Sequence, residues 1–366
     1  MSLPTATWRA QAAPRRPSEP LAAIVLNALA LQPGGSGVQT YIRELLAALA
    51  APGDLRLTAH VQASALGELP PGVTPAAHPV TAGARRALEG LRSFQPSDVA
   101  HGLDVDLPLR ARGARVVTVH DLAVFDVPWA FPKRRALGER ALLTMAMRRA
   151  DLVLAVSRFT AERIRRRFGR EAVVTPLAPR PGLSPASAAA IRSARERLGL
   201  PARFVAHVGT IEARKNIEGL ALACRTIGVP LVLAGGIARD QRVPAGAQHL
   251  GYLPSADLAA FYGAADVVAY PSHYEGFGLP PIEAMACGAA VLATRVGALG
   301  DVVGDGADLV APGDLGALQA ALARLVRDAG HRAELRARAP LVAARLRWSD
   351  TAAATRAAYR SVGVDA

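Results

Sequence analysis

The chain is short of cysteine, lysine, asparagine and aromatic side chains, and each shortage closes a line of explanation. Two cysteines in 366 residues, Cys224 and Cys287, cannot build a disulfide framework. Neither stands in a C-x-x-C metal spacing. Both fall in stretches read as helix, where a small buried hydrophobe suits a reducing cytoplasm. Aromatics make up only 5% of the residues against 33 glycines and 27 prolines, a balance that favours short β-α units with tight turns over a β-sandwich. No apolar run reaches the roughly 18 residues that span a bilayer. Arg15-Arg16 ahead of the apolar run 21–31 has the outline of a twin-arginine export signal. No small-residue cleavage site follows, so residues 1–20 are expected as a disordered polar tail leading into a first strand.

Lysine occurs only as Lys133 and Lys215, so the formal net charge of +13 rests almost wholly on arginine. A genomic preference for arginine accounts for this as well as any partner does. The charge by itself therefore points only to acidic partners in general: phosphates, an anionic membrane face or nucleic acid.

What is present is a repeated alternation. Short apolar runs at 22–29, 116–120, 152–156, 173–178, 204–208, 231–234, 267–270 and 290–293 are separated by helical patterns, among them 38–50, 133–149, 158–168, 216–226 and 256–263. Runs this short, mostly without polar alternation, are expected of strands covered on both faces, hence of parallel sheets with right-handed crossovers. Pro176, Pro179, Pro181 and Pro185 break the pattern. The fold expected is α/β, with two doubly wound Rossmann-like domains facing a central cleft. A first domain spans 21–178, a linker 179–200, a second domain 201–348, and a helix at 349–366 packs back on the first domain.

Four segments carry candidate chemistry. Gly34-Gly35-Ser36-Gly37 lies between a strand and a helix, where glycine allows close backbone approach and free N–H groups favour an anion; a flexible turn explains it equally well. His120-Asp121 ends a strand, at the carboxyl edge where such sheets bind ligands. Arg214-Lys215-Asn216 opens a helix and joins one of only two lysines to one of only two asparagines. Cations oppose the dipole at a helix start, a conflict that an anion such as a diphosphate would resolve. Lastly, Glu275-Gly276-Phe277-Gly278-Leu279 forms a loop before a helix holding Glu283. Glu275 suits a sugar, Glu283 suits ribose hydroxyls, and the N–H groups of Gly276 to Leu279 suit hydroxyl or phosphate oxygens. Taken singly, Glu283 also reads as a dipole complement and Glu275 as an ordinary loop acid.

Together these segments resemble the retaining glycosyltransferases of family 4, of GT-B fold. The likeness runs from about residue 22 to 360 and adds Ala150-Asp151 through Ser157, Ala264-Ala265-Asp266 and Trp348-Ser349-Asp350. Gly300-Asp301 departs from a Pro-Glu common in relatives. The resemblance implies a nucleotide-sugar donor held by the second domain. Arg214 and Lys215 would neutralise its diphosphate, Glu283 would bind ribose and Glu275 a hydroxyl of the donor sugar. His120 would contact that sugar from the first domain, and Gly35 and Gly37 would close over it. It implies no cofactor and no metal, transfer with retention, a mannose-like sugar carried by GDP, and a glycan or lipid-linked acceptor. The enzyme is then expected in the cytoplasm, peripheral on the inner membrane face through basic first-domain helices, with no nucleic-acid partner. Rival readings are a UDP-sugar donor, a GT-B phosphorylase or epimerase, and a basic nucleic-acid- or membrane-binding protein without transferase activity. A nicotinamide dehydrogenase is disfavoured because no G-x-G-x-x-G follows a strand.

Overall fold

The computed structural model describes residues 21–35, 37–92 and 94–366. The tail read at 1–20 and Ser36 of the glycine loop lie outside the described residues. Among those described, the first sheet has seven strands: Ala22–Asn27 (β1), Leu55–Gln62 (β2), Val73–His78 (β3), Val99–Gly102 (β4), Ala114–Val119 (β5), Leu152–Ala155 (β6) and Val173–Val174 (β7). They pair in parallel in the order β3-β2-β1-β4-β5-β6-β7. The second sheet has six: Val205–Val208 (β8), Leu231–Ala234 (β9), Gln248–His249 (β10), Val267–Tyr270 (β11), Val291–Thr294 (β12) and Ala307–Val310 (β13). Its order is β10-β9-β8-β11-β12-β13.

The central strands are buried along their whole length, as both-face covering demands: every residue of β1, β9, β11 and β12 is buried. In each sheet the chain order reverses beside the first strand, between β1 and β4 and between β8 and β11. Loops leaving the carboxyl ends of strands flanking such a switch point diverge and leave a crevice. Two crevices of this kind face each other here.

The stretch 179–200, expected as linker, is corrected in part. It contains a helix, Ala188–Arg197, that docks on the second domain: Arg195 donates to the Ala264 carbonyl at 2.5 Å and lies over the Phe204 ring. The strand expected over 173–178 pairs only at Val173–Val174. Beyond it, Pro176 and Pro179 keep their carbonyls free of any ladder and accept from Thr351 at 2.6 Å and from the Trp348 indole at 3.0 Å.

These two donors sit on the last helix, Trp348–Arg360, whose far end meets the first domain. Tyr359 Oη lies 2.7 Å from His101 Nδ1, and Arg356 bonds the Leu49 carbonyl and Asp54. His101 Nε2 and Tyr41 Oη both lie 2.8 Å from Thr118 Oγ1, which gives these buried polar groups partners within the core.

Candidate active site in the cleft between the sheets

A cleft of about 490 Å³ opens where the two carboxyl edges face. Eleven of the residues singled out from the sequence line it: Gly35, Gly37 and His120 from the first domain, and Arg214, Lys215, Glu275, Gly276, Phe277, Gly278, Leu279 and Glu283 from the second; Asn216 does not. The two walls touch at several points. Serine 157 donates to the Gly276 carbonyl at 2.6 Å. Tyr274 donates to Asp126 at 2.9 Å and accepts from the Leu122 N–H at 3.3 Å. A Cβ at Gly276 would stand 2.1 Å from the His120 carbonyl oxygen, so only glycine allows this approach. Gly278, at φ +100°, would push a Cβ to 2.3 Å from Leu299.

The cationic segment differs from expectation. Ala213–Lys215 is a single 3₁₀ turn, Asn216 takes a left-handed conformation at φ 55°, and the helix runs from Ile217 to Ile227. Both cations therefore lie ahead of the helix rather than in its first turn, and Asn216, one of the few residue types that tolerates this conformation, makes the corner. Their partner is Glu275. Lys215 Nζ donates to Glu275 Oε1 at 2.6 Å, Arg214 Nη1 donates to Oε2 at 3.0 Å, and Ser272 donates to Oε1 at 2.8 Å. Glu212 takes another edge of Arg214 at 2.7 Å.

Burial alone would raise the Glu275 carboxyl, but the charges of Lys215 and Arg214 outweigh it and lower it to about 2. For Arg214, burial opposes the charge while Glu275, Glu212 and Asp121 more than offset it, leaving the guanidinium well above its usual range. Glu275 thus serves first as the anchor that fixes both cations. Guanidinium and ammonium groups have more donors than these acids consume, so each retains capacity for an added anion.

Glu283 is also held differently from expectation. It is the fifth residue of helix Leu279–Ala286, hence in the second turn, and it is bidentately paired with Arg180 at 2.6 and 3.0 Å. Arg180 lies in the proline-rich segment between the domains, where sequence reasoning saw only a chain break. No local signal marks it. His120 sits at the end of β5 with Nε2 3.0 Å from the Leu103 carbonyl. A carbonyl can only accept, so Nε2 carries the proton and Nδ1 is the nitrogen left for a ligand. The Tyr41 ring meets the imidazole edge-on at 4.7 Å.

Further lining residues escaped the sequence reading. Thr210, Gly235 and Gly236 follow β8 and β9, while Tyr252 is half exposed at the rim, near Gly34 across the cleft. A glycine after each buried strand is the signal that would have found the loops. Cys287 lies just past the helix rather than within it, and burial pushes both thiols up to about 12.

A Glycosyltransferase Family 4 model matches residues 35–178, and a Glycosyl transferases group 1 model matches residues 191–342. O-antigen chain mannosyltransferase B of Escherichia coli is 34% identical over 296 residues, 75% of this chain and 77% of that protein. The serotype-specific mannosyltransferase WbdA of Escherichia coli is 32% identical over 189 residues, 45% of this chain but only 23% of WbdA. Among solved structures, Anabaena HepE in complex with UDP and glucose superposes with a TM-score of 0.75 at 18% identity, covering 93% of this chain and 100% of that one. Two facing parallel sheets of this order, with a shared cleft and these matches, define a glycosyltransferase of GT-B fold. More particularly, the chain belongs to glycosyltransferase family 4.

Proposed function

We propose that the protein moves a hexose, mannose first, from a nucleoside diphosphate sugar, GDP-mannose first, to a glycan or lipid-linked acceptor in cell-surface polysaccharide synthesis. The observation that carries this reading is the meeting of Arg214, Lys215, Glu275 and Glu283 in one cleft. The likeness to an O-antigen mannosyltransferase over 75% of this chain and 77% of that protein supports the sugar and the pathway class.

In this reading the diphosphate lies against the remaining donors of Arg214 and Lys215 and the N–H groups of residues 276–279, ahead of the two prolines that open helix Leu279–Ala286. Both were positioned before the donor arrives, so little reorganisation accompanies charge development on the leaving group. The bond from the anomeric carbon to the diphosphate oxygen breaks, and the acceptor oxygen bonds that carbon on the same face. Its proton passes to the departing phosphate oxygen, giving retention. His120 Nδ1 and Glu275 orient hydroxyls of the sugar.

Incubation with a panel of GDP- and UDP-sugars and a lipid-linked glycan tests the donor. Transfer from GDP-mannose is expected. Transfer from UDP-sugars alone would replace it with the alternative that the UDP complex of HepE suggests. Fixed cations stand here where other transferases use a metal, so activity should persist in EDTA. Loss that only a divalent cation restores would overturn this part of the proposal.

A second reading concerns location. Among the described residues no helix is long and apolar enough to cross a membrane. Trp129 and Leu137 are nonetheless 60% and 71% exposed, beside exposed Lys133 and Arg134 at the start of helix Lys133–Arg149. Helix Arg158–Phe168 contributes less than its sequence suggests, because Arg163 pairs with Asp126 and both Arg165 and Arg166 pair with Glu162. We infer a peripheral seat on an anionic cytoplasmic membrane face, where each nearby basic residue contributes about 1 kcal/mol. Co-sedimentation with vesicles containing anionic lipid should fall sharply in a Trp129→Ala, Lys133→Gln, Arg134→Gln variant. Binding indifferent to lipid charge would remove the idea.

A further inference from the structure

Arg180 is the one arginine that the segment between the domains places in the cleft, and three of its nitrogens have partners there. Its Nε and Nη2 donate to the two oxygens of Glu283 at 2.6 and 3.0 Å, and Nη1 reaches Ser255 Oγ at 3.2 Å. The side chains of Arg180 and Glu283 are only 14% and 4% exposed. On the chain side, the preceding Pro179 carbonyl is held by the Trp348 indole, and the Pro176 carbonyl by Thr351. Both anchors come from the last helix. A carboxylate has about four acceptor sites, and a two-pronged guanidinium uses one on each oxygen. Each oxygen of Glu283 therefore keeps acceptor capacity toward the cleft that both residues line.

Glu44, on helix Gly37–Ala50 of the first domain, lies within electrostatic range of the same pair: burial raises its carboxyl most, Arg43 and then Arg180 lower it, and Glu283 raises it further. Without Arg180, buried Glu283 and half-buried Glu44 would share this region with less compensating charge, a costly arrangement in low dielectric.

We propose that Arg180 is a positioning residue for the donor. It holds the Glu283 carboxylate turned so that its unused acceptor sites meet the ribose hydroxyls, and it ties that grip to the segment joining the two domains. This rests on the reading of Glu283 as the ribose contact. Its consequence is specific: removing the guanidinium should weaken recognition of the ribose diol while leaving recognition of the diphosphate largely intact.

The test compares calorimetric titrations of GDP and 2′,3′-dideoxy-GDP, with the uridine pair alongside, on the full chain. The unaltered protein should prefer the ribonucleotide by about tenfold or more. In Arg180→Met that preference should fall to near unity, with dideoxy binding little changed and the donor KM raised more than kcat is lowered. Arg180→Lys keeps the charge but loses the fork, so it should retain the fold and only part of the preference. It remains informative if Arg180→Met does not fold.

Equal weakening toward both nucleotides in Arg180→Lys would mark a merely structural role and overturn the proposal. So would an undiminished preference for the ribonucleotide. Tighter ribonucleotide binding would show that Arg180 competes for Glu283, and would overturn it too. Equal affinity of the unaltered protein for GDP and its dideoxy analogue, and likewise for the uridine pair, would instead remove the ribose reading of Glu283 itself.

Discussion

At Glu275 burial and charge pull in opposite directions, and the outcome is measurable. A carboxyl depressed from 4.5 to about 2 stabilises the fold fully above pH 4.5 and loses that contribution as pH falls toward 2. Denaturant midpoints measured between pH 5 and 2 should fall, and Glu275→Gln should flatten the slope while costing about 3 kcal/mol at pH 7, because buried Lys215 loses its counter-charge and Arg214 keeps only Glu212. Transfer should drop by about 100-fold in the same variant, as expected when preorganised charge at a reacting centre is disturbed. Unchanged kcat in a folded Glu275→Gln would separate this residue from the chemistry. The pairing itself is not legible in the sequence: Arg214 and Lys215 lie 61 and 60 residues from Glu275, and no local pattern links them.

At the scale of elements, the strands most easily read were those whose two faces are covered. Leu231–Ala234 and Val267–Tyr270 match their apolar runs residue for residue. Strand β2 escaped because Leu55–Gln62 interleaves polar residues, β3 because Pro75 sits in it at the sheet edge, and β4 because Val99–Gly102 is short and includes a histidine. That histidine, His101, is tolerated in the core only because Thr118 and Tyr359 satisfy both ring nitrogens. The glycine loop after β11 is the element on which the cleft closes. Gly276→Ala should force the loop away from His120, raising the donor KM at least tenfold with little change in melting temperature; a normal KM would show that the close approach is dispensable.

At the scale of the whole molecule, a few polar contacts bridge the domains beside the loop after β11. Losing the Tyr274 hydroxyl and the Ser157 hydroxyl together should favour an opened form. Small-angle scattering of Tyr274→Phe, Ser157→Ala should show a larger radius of gyration without nucleotide, which nucleotide reverses; identical profiles would show that other contacts hold the domains closed. Three buried histidines add a global pH dependence. Burial lowers His60 and His207 to about 4 and His101 to about 3, so each is neutral in the fold and must take up a proton on unfolding below pH 6.5. Stability is therefore full above pH 6.5 and declines as pH falls toward 4. Thermal melts at pH 7.5 and 5 should separate clearly, and coincident melts would contradict the buried, neutral assignment.

The amino-acid order by itself determined the alternation of strand and helix, the two-domain plan and a core of the residues that meet in the cleft. Those depend on local patterns: apolar runs, strand-end glycines, and polar residues stranded at the carboxyl edge of a sheet. Tertiary structure alone decided which charge answers which, that Glu275 clamps Arg214 and Lys215 and that Arg180 grips Glu283. Those pairings join residues sixty and more than a hundred positions apart, brought together by strand order and by the return of the last helix, and no local spacing encodes such a distance.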